Sequence, residues 1–211
     1  MIKSLMLDGP AGKLAALLNV GKLDASHAAV VCHPHPMHGG TMHNKVVYHT
    51  MKALAGFGFP VLRFNFRGAG LSEGKHDEGR GEVEDVRAAL DFLDREFHLP
   101  IIFTGFSFGA ATGMRAACSD DRVVALISLG TPVVAEGRTY AYKFLAACPK
   151  PKLFISGLQD QYSPAKELRE VVDQAANPKR LVFIEDADHF FLGKLQPMQN
   201  AIDEWLRDLL K

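Results

Sequence analysis

The sequence predicts an α/β fold: a mostly parallel sheet with an antiparallel start and helices on both faces. Three observations carry that expectation. Short runs of β-branched and aromatic residues alternate with segments of 3.6-residue apolar period along the chain. Near the N-terminus, Gly9-Pro10-Ala11-Gly12 separates two strand-like runs, which is a hairpin signal. In the middle, Ile101-Ile102-Phe103-Thr104 runs straight into Gly105-Phe106-Ser107-Phe108-Gly109, followed by Ala110, Ala111, Thr112 and Gly113. That order reads as strand, sharp turn, helix, with one hydroxyl raised over the sheet edge at a helix N-terminus.

Taken in order, residues 4–7 and 13–18 form the hairpin, and 28–32 is a short apolar strand that ends in a His/Pro/Gly-rich loop. Residues 44–55 are helical in pattern: Val47, Met51 and Leu54 share a face and Gly56 is a stop. Residues 59–66 read as a strand, with Pro60 tolerable at its start. The clearest helix spans 82–97, where Val83, Val86, Leu90, Leu93 and Phe97 keep an apolar stripe and charged residues fill the opposite face. After the Ser107 strand and helix come a strand over 122–129, a looser helix over 139–147 and a strand over 152–156. Ser163 and Pro164 are expected to open the next helix as N-cap and first-turn proline, with Leu168, Val171, Val172 and Ala175 buried. A last strand over 180–184 precedes an amphipathic helix marked by Ile202, Trp205, Leu206 and Leu209.

Composition sets bounds. A chain of 211 residues fits one domain, 1–211, and with 47% hydrophobic residues it can bury a sizeable core. The 24 basic and 24 acidic residues balance, so nothing points to nucleic acid or an acidic partner. Cys32, Cys118 and Cys148 make an odd set with no disulfide framework, which fits a reducing compartment. No apolar run approaches a membrane span and no export signal is visible, so the expectation is a soluble cytoplasmic protein, a monomer or small homo-oligomer.

Serine attacks carbonyl carbon only when a base removes its proton, and histidine is the usual base because its pKa lies near neutrality. Of the nine histidines, His189 follows the last predicted strand, where its loop lies at the same sheet edge as Ser107. An acid must fix the imidazole tautomer and balance its charge. Asp160 follows the strand over 152–156. Asp186 and Asp188 compete for the role but sit so close to His189 in sequence that reaching its far nitrogen is awkward. The order Ser107, Asp160, His189 is that of a nucleophile-elbow hydrolase, each residue following its own strand. An oxyanion site would draw one amide from Phe108 and another from the loop after the early strand, His33-Pro34-His35-Pro36-Met37-His38-Gly39-Gly40. Pro36 has no N–H, so the expected donor is Met37. His33, His35, His38 and His43 invite a metal reading, but no Cys, Asp or Glu completes a ligand set; packing and hydrogen bonding that stiffen the loop is the preferred role, and no metal or other cofactor is expected. The Gly68-Ala69-Gly70 turn lacks the helix a dinucleotide site needs and reads as a structural loop, with Arg67 paired to a carboxylate.

With these residues in view, the chain resembles the α/β-hydrolase superfamily. His33 through Val47, Arg63-Phe64-Asn65-Phe66-Arg67-Gly68 and Gly105-Phe106-Ser107-Phe108-Gly109 look like a small bacterial group of lidless hydrolases related to dienelactone hydrolases and prolyl-oligopeptidase-type catalytic domains. The resemblance implies a serine hydrolase fold with esterase-like activity. Serine stands where dienelactone hydrolase has cysteine, which puts the lactone substrate in doubt. The stretch over 130–140 is too short for a cap domain. The expectation is therefore an open, shallow site for small short-acyl esters, lined partly by Phe106, Phe108, Val133 and Phe190.

Overall fold

The computed structural model describes residues 1–134 and 140–211. Eight strands form one sheet in the order β1-β2-β4-β3-β5-β6-β7-β8. Strands β1 (Ile2–Gly9) and β2 (Gly12–Asn19) make the hairpin, and β2 pairs antiparallel with β4 (Val61–Phe64). From there β3 (Ala28–Cys32), β5 (Ile101–Phe106), β6 (Val123–Leu129), β7 (Lys152–Gly157) and β8 (Lys179–Ile184) are all parallel. The connecting helices are α1 (Lys45–Gly56), α2 (Gly81–Phe97), α3 (Phe108–Cys118) and α4 (Ala165–Gln174), with α5 (Leu195–Leu209) last.

The central strands are buried on both faces, as a helix-covered parallel sheet requires. In β3, Val30 and Cys32 point into the core under α2 and α3, while Ala29 and Val31 point into the core under α1 and α5. The period of two continues in β5, where Phe103 joins the first core and Ile102 and Phe106 the second. Because parallel strands share one direction, the loops after β3, β5, β7 and β8 all emerge at one edge of the sheet.

Some expected boundaries move. The strand expected over 59–66 is only Val61–Phe64, because Asn65 and Phe66 already leave the ladder to bond Ala15 and the His33 imidazole. The looser helix is a 3-10 turn at Lys143–Ala147, and its expected start lies outside the described residues. Ser163 does not cap α4. The N-cap is Pro164, and the Ser163 N–H is spent on Asp160 Oδ1 at 3.1 Å. Arg67 pairs with Asp85 on α2, its Nη2 donating to Oδ1 at 2.7 Å and its backbone N–H to Oδ2 at 3.0 Å. The Gly68–Gly70 turn is thus bolted to α2 by a buried carboxylate.

Candidate active site

The turn between β5 and α3 holds Ser107 at φ 54° and ψ −120°, a conformation L-residues reach only under strain. The flanking glycines permit it. A Cβ on Gly105 would lie 2.5 Å from the Gly109 carbonyl oxygen, and one on Gly109 would lie 2.5 Å from that of His33. Ser107 is the N-cap of α3, yet its hydroxyl makes no capping bond. It bonds instead to His189 Nε2 at 2.9 Å.

On the far side of the ring, His189 Nδ1 lies 2.8 Å from Asp160 Oδ2. A carboxylate can only accept, so Nδ1 carries the proton and Nε2 is left to accept from the serine. Asp160 is itself tied down. Its Oδ1 accepts the backbone N–H groups of Tyr162 at 2.9 Å and Ser163 at 3.1 Å, while Oδ2 also accepts the Ser156 hydroxyl at 3.2 Å. The competing carboxylates are engaged elsewhere. Asp188 Oδ1 accepts the N–H groups of Phe190 and Leu192, forming the turn that carries the histidine, and Asp186 faces Lys194. Gly130, at φ +50°, sits beneath the imidazole; a Cβ there would be 3.1 Å from His189 Cε1 and 3.2 Å from Nδ1.

The loop after β3 forms the opposite bank. His33 is fully buried; its Nε2 accepts the Phe66 N–H at 3.0 Å and its Nδ1–H donates to the Pro34 carbonyl at 2.6 Å. Burial drives its pKa from 6.5 down to about 4. A proton on Nε2 would have to face an N–H already pointing at it. The Met37 N–H donates to His35 Nδ1 at 3.1 Å, closing a short 3-10 turn over Pro36–His38. Among the described residues, no His/Cys/Asp/Glu group is arranged to hold a metal ion.

A cavity of about 510 Å³ opens over Ser107, walled by the loop after β3 on one side and by Pro132, Tyr140, Tyr162 and Phe190 on the other. Three expectations about its lining are corrected. Met37, expected as an oxyanion donor, is not among the described lining residues; its amide donates to His35 Nδ1 and the residue is 68% exposed. Phe106 is fully buried in the second core and supports His189 from below, ring centroids 5.0 Å apart. Val133 packs on the first core and its N–H holds the Tyr162 carbonyl at 2.8 Å, leaving Pro132 as the wall. Phe108 and Phe190 do line the cavity. The Phe108 ring packs among Phe66, His35 and His76, and the residue is buried. Its amide stands in the first turn of α3, where N–H groups have no intrahelical acceptor.

A family model described as serine aminopeptidase, S33, matches residues 25–150, which takes in the β3 loop and the Ser107 turn. The chain belongs to the serine aminopeptidase S33 family. Solved members of the wider α/β serine hydrolase group overlay on this S33 chain almost completely. An α/β serine hydrolase homologue from Coxiella burnetii is 37% identical, with TM-score 0.89 and 97% of each chain covered. An α/β serine hydrolase without lid from Xanthomonas campestris is 32% identical, with TM-score 0.88, covering 99% of this chain and 94% of that one. A protein of Rickettsia prowazekii is 35% identical over 206 residues, 94% of this chain and 86% of its own length. The S33 chain is thus an α/β hydrolase in sequence and in fold.

Sequence reading missed two supports of this site: the Ser156 hydroxyl beneath Asp160, and the buried Glu82. Glu82 accepts the Asp77 and Gly79 N–H groups and lies 2.7 Å from His76 Nδ1. Ser156 had a signal, since it ends the same strand that Asp160 follows. Glu82 read only as part of a solvated helix face.

Proposed function

We propose that this protein is a carboxylesterase that cleaves small, short-acyl esters through an acyl-enzyme. The observation that carries the reading is the unbroken relay from Ser107 Oγ through His189 to Asp160, with the serine at the floor of a cavity. In this reading Ser107 Oγ attacks the ester carbonyl as His189 Nε2 takes its proton, and Asp160 balances the imidazolium. His189 then protonates the departing alcohol and activates water to hydrolyse the acyl-serine. The Phe108 amide is one oxyanion donor. With Met37 engaged, the second donor is sought on the same loop after β3, which walls the cavity opposite Tyr162 and Phe190.

The family description raises a second reading, an aminopeptidase. Such an enzyme must neutralise the substrate's free ammonium, normally with a carboxylate near the nucleophile. The described lining residues of the cavity include no Asp or Glu. Relative turnover of esters and aminoacyl anilides separates the two.

The test is a fluorophosphonate probe together with a substrate panel. The expected result is stoichiometric labelling of Ser107, lost in Ser107→Ala, and turnover of p-nitrophenyl acetate and butyrate well above aminoacyl p-nitroanilides and long-chain esters. Faster cleavage of an aminoacyl anilide than of the acetate would replace this reading with the peptidase. Absence of labelling would remove catalysis altogether.

A further inference from the structure

We infer that the apolar, ring-bearing half of the substrate is its alcohol, not its acid. The inference deepens the esterase reading and rests on its assignment of Ser107 and His189.

Acyl transfer fixes which half of an ester faces which wall. The Ser107 Oγ–carbon bond forms as the serine proton passes to His189 Nε2. The carbonyl oxygen, now negative, turns toward the Phe108 amide. The carbon–alkoxy bond then breaks while His189 returns that proton to the departing oxygen, which leaves as a neutral alcohol, and water completes the cycle by releasing the acid. For that proton to cross, the alkoxy oxygen must lie within about 3 Å of Nε2. Whatever is attached to this oxygen must therefore occupy the space around His189.

That space is aromatic. The Tyr162 ring stands edge-on to His189 with centroids 4.8 Å apart, and the Phe190 ring does the same at 5.2 Å. Both line the cavity and both leave large faces open, Tyr162 at 38% and Phe190 at 50% exposure. The wall is built rather than loose. The Tyr162 carbonyl accepts the N–H groups of Val133 at 2.8 Å and Val134 at 3.1 Å. The Phe190 N–H is fixed by Asp188 Oδ1 at 3.1 Å, and its ring rests on Phe106 at 5.9 Å. The opposite bank of the cavity, lined by Pro34, His35, His38, Gly39, Gly40 and Asn44, is left to the acyl group in this assignment. That bank offers two imidazoles, two glycine backbones, an amide and the ring of Pro34. The phenyl ring on that side among the described residues, Phe108, is buried in the first core. A phenyl group on the alcohol would thus bury against two rings, while on the acid it would displace water from polar groups and gain little.

Benzyl acetate and methyl phenylacetate test this, because they are isomers with the ring on opposite sides of one ester bond. Each kcat/KM is measured by pH-stat and divided by the same ester's hydroxide-catalysed rate. The expected ratio favours benzyl acetate by about tenfold or more, the usual discrimination of an apolar wall. Phe190→Ala should bring it most of the way to unity. A wild-type ratio at or below one overturns the inference while Ser107-dependent cleavage of p-nitrophenyl acetate leaves the esterase reading standing. A high ratio untouched by both Phe190→Ala and Tyr162→Ala overturns the assignment to this wall. No Ser107-dependent turnover of any ester, p-nitrophenyl acetate included, removes the esterase reading and this inference with it.

Discussion

His33 and His189 are two buried imidazoles flanking the same serine turn, and they share one tautomer. Each carries its proton on Nδ1 and accepts on Nε2. They differ in what they bond to. His33 joins a carbonyl to an amide, both backbone, so neither partner can shift or take up charge. His189 joins a carboxylate to a hydroxyl, both side chains, so a proton arriving at Nε2 is balanced by Asp160 on the other side. Burial alone therefore does not decide whether a histidine can work as a base. The partners do, and His33 is held neutral where His189 has a counter-charge in place.

The sharpest way to break this contrast is to remove the reactive side. Ser107→Ala or His189→Ala should lower kcat on p-nitrophenyl acetate by about 10⁴-fold or more with the melting temperature within a few degrees of wild type. Asp160→Asn keeps the shape but takes away the charge that balances His189, and should cost about 10³- to 10⁴-fold in kcat, read in the same assay. His33→Ala should show the opposite profile. It strands a buried amide and carbonyl, and urea unfolding should report a loss of about 2–4 kcal/mol.

The same histidine predicts a pH signature. Its folded pKa lies below the unfolded value of 6.5, so between pH 6.5 and about 4 the unfolded chain binds a proton that the folded chain refuses. Its contribution to stability is thus complete above pH 6.5 and falls away on acidification, by about 3 kcal/mol at about 1.4 kcal/mol per pH unit. Urea midpoints across that range should therefore drop more steeply for wild type than for His33→Ala. A parallel pair of curves would show that His33 is not the group responsible. The smallest effect concerns support. Gly130→Ala places a methyl group against the His189 ring and needs a left-handed backbone, so kcat should fall about tenfold while KM changes little.

Much of this was legible in the sequence because its signals are local. The alternation of strand and helix follows from apolar period, and the order Ser107, Asp160, His189 follows from which strand each residue ends. What escaped was settled by direction and by distant partners. Phe106 was expected in the cavity, yet it shares its strand face with Ile102, which points into the α1/α5 core; a stricter reading of the two-residue period would have found that. Met37 could not be excluded from sequence, since its amide is taken by an imidazole that only the folded 3-10 turn brings round. Arg67 was expected to find a carboxylate, but that it is Asp85 depends on how α2 docks on the sheet.

The strained backbone at Ser107 has a consequence for how such a protein can change. A glycine there would accept φ 54° and ψ −120° without steric conflict, removing a tension of about 1–3 kcal/mol against which glycine's greater freedom in the unfolded chain counts about 1 kcal/mol. Ser107→Gly should therefore be an inert protein that melts at or above the active one. Stability and reactivity thus pull in opposite directions at this one position: glycine suits the backbone, and the esterase reading needs the hydroxyl.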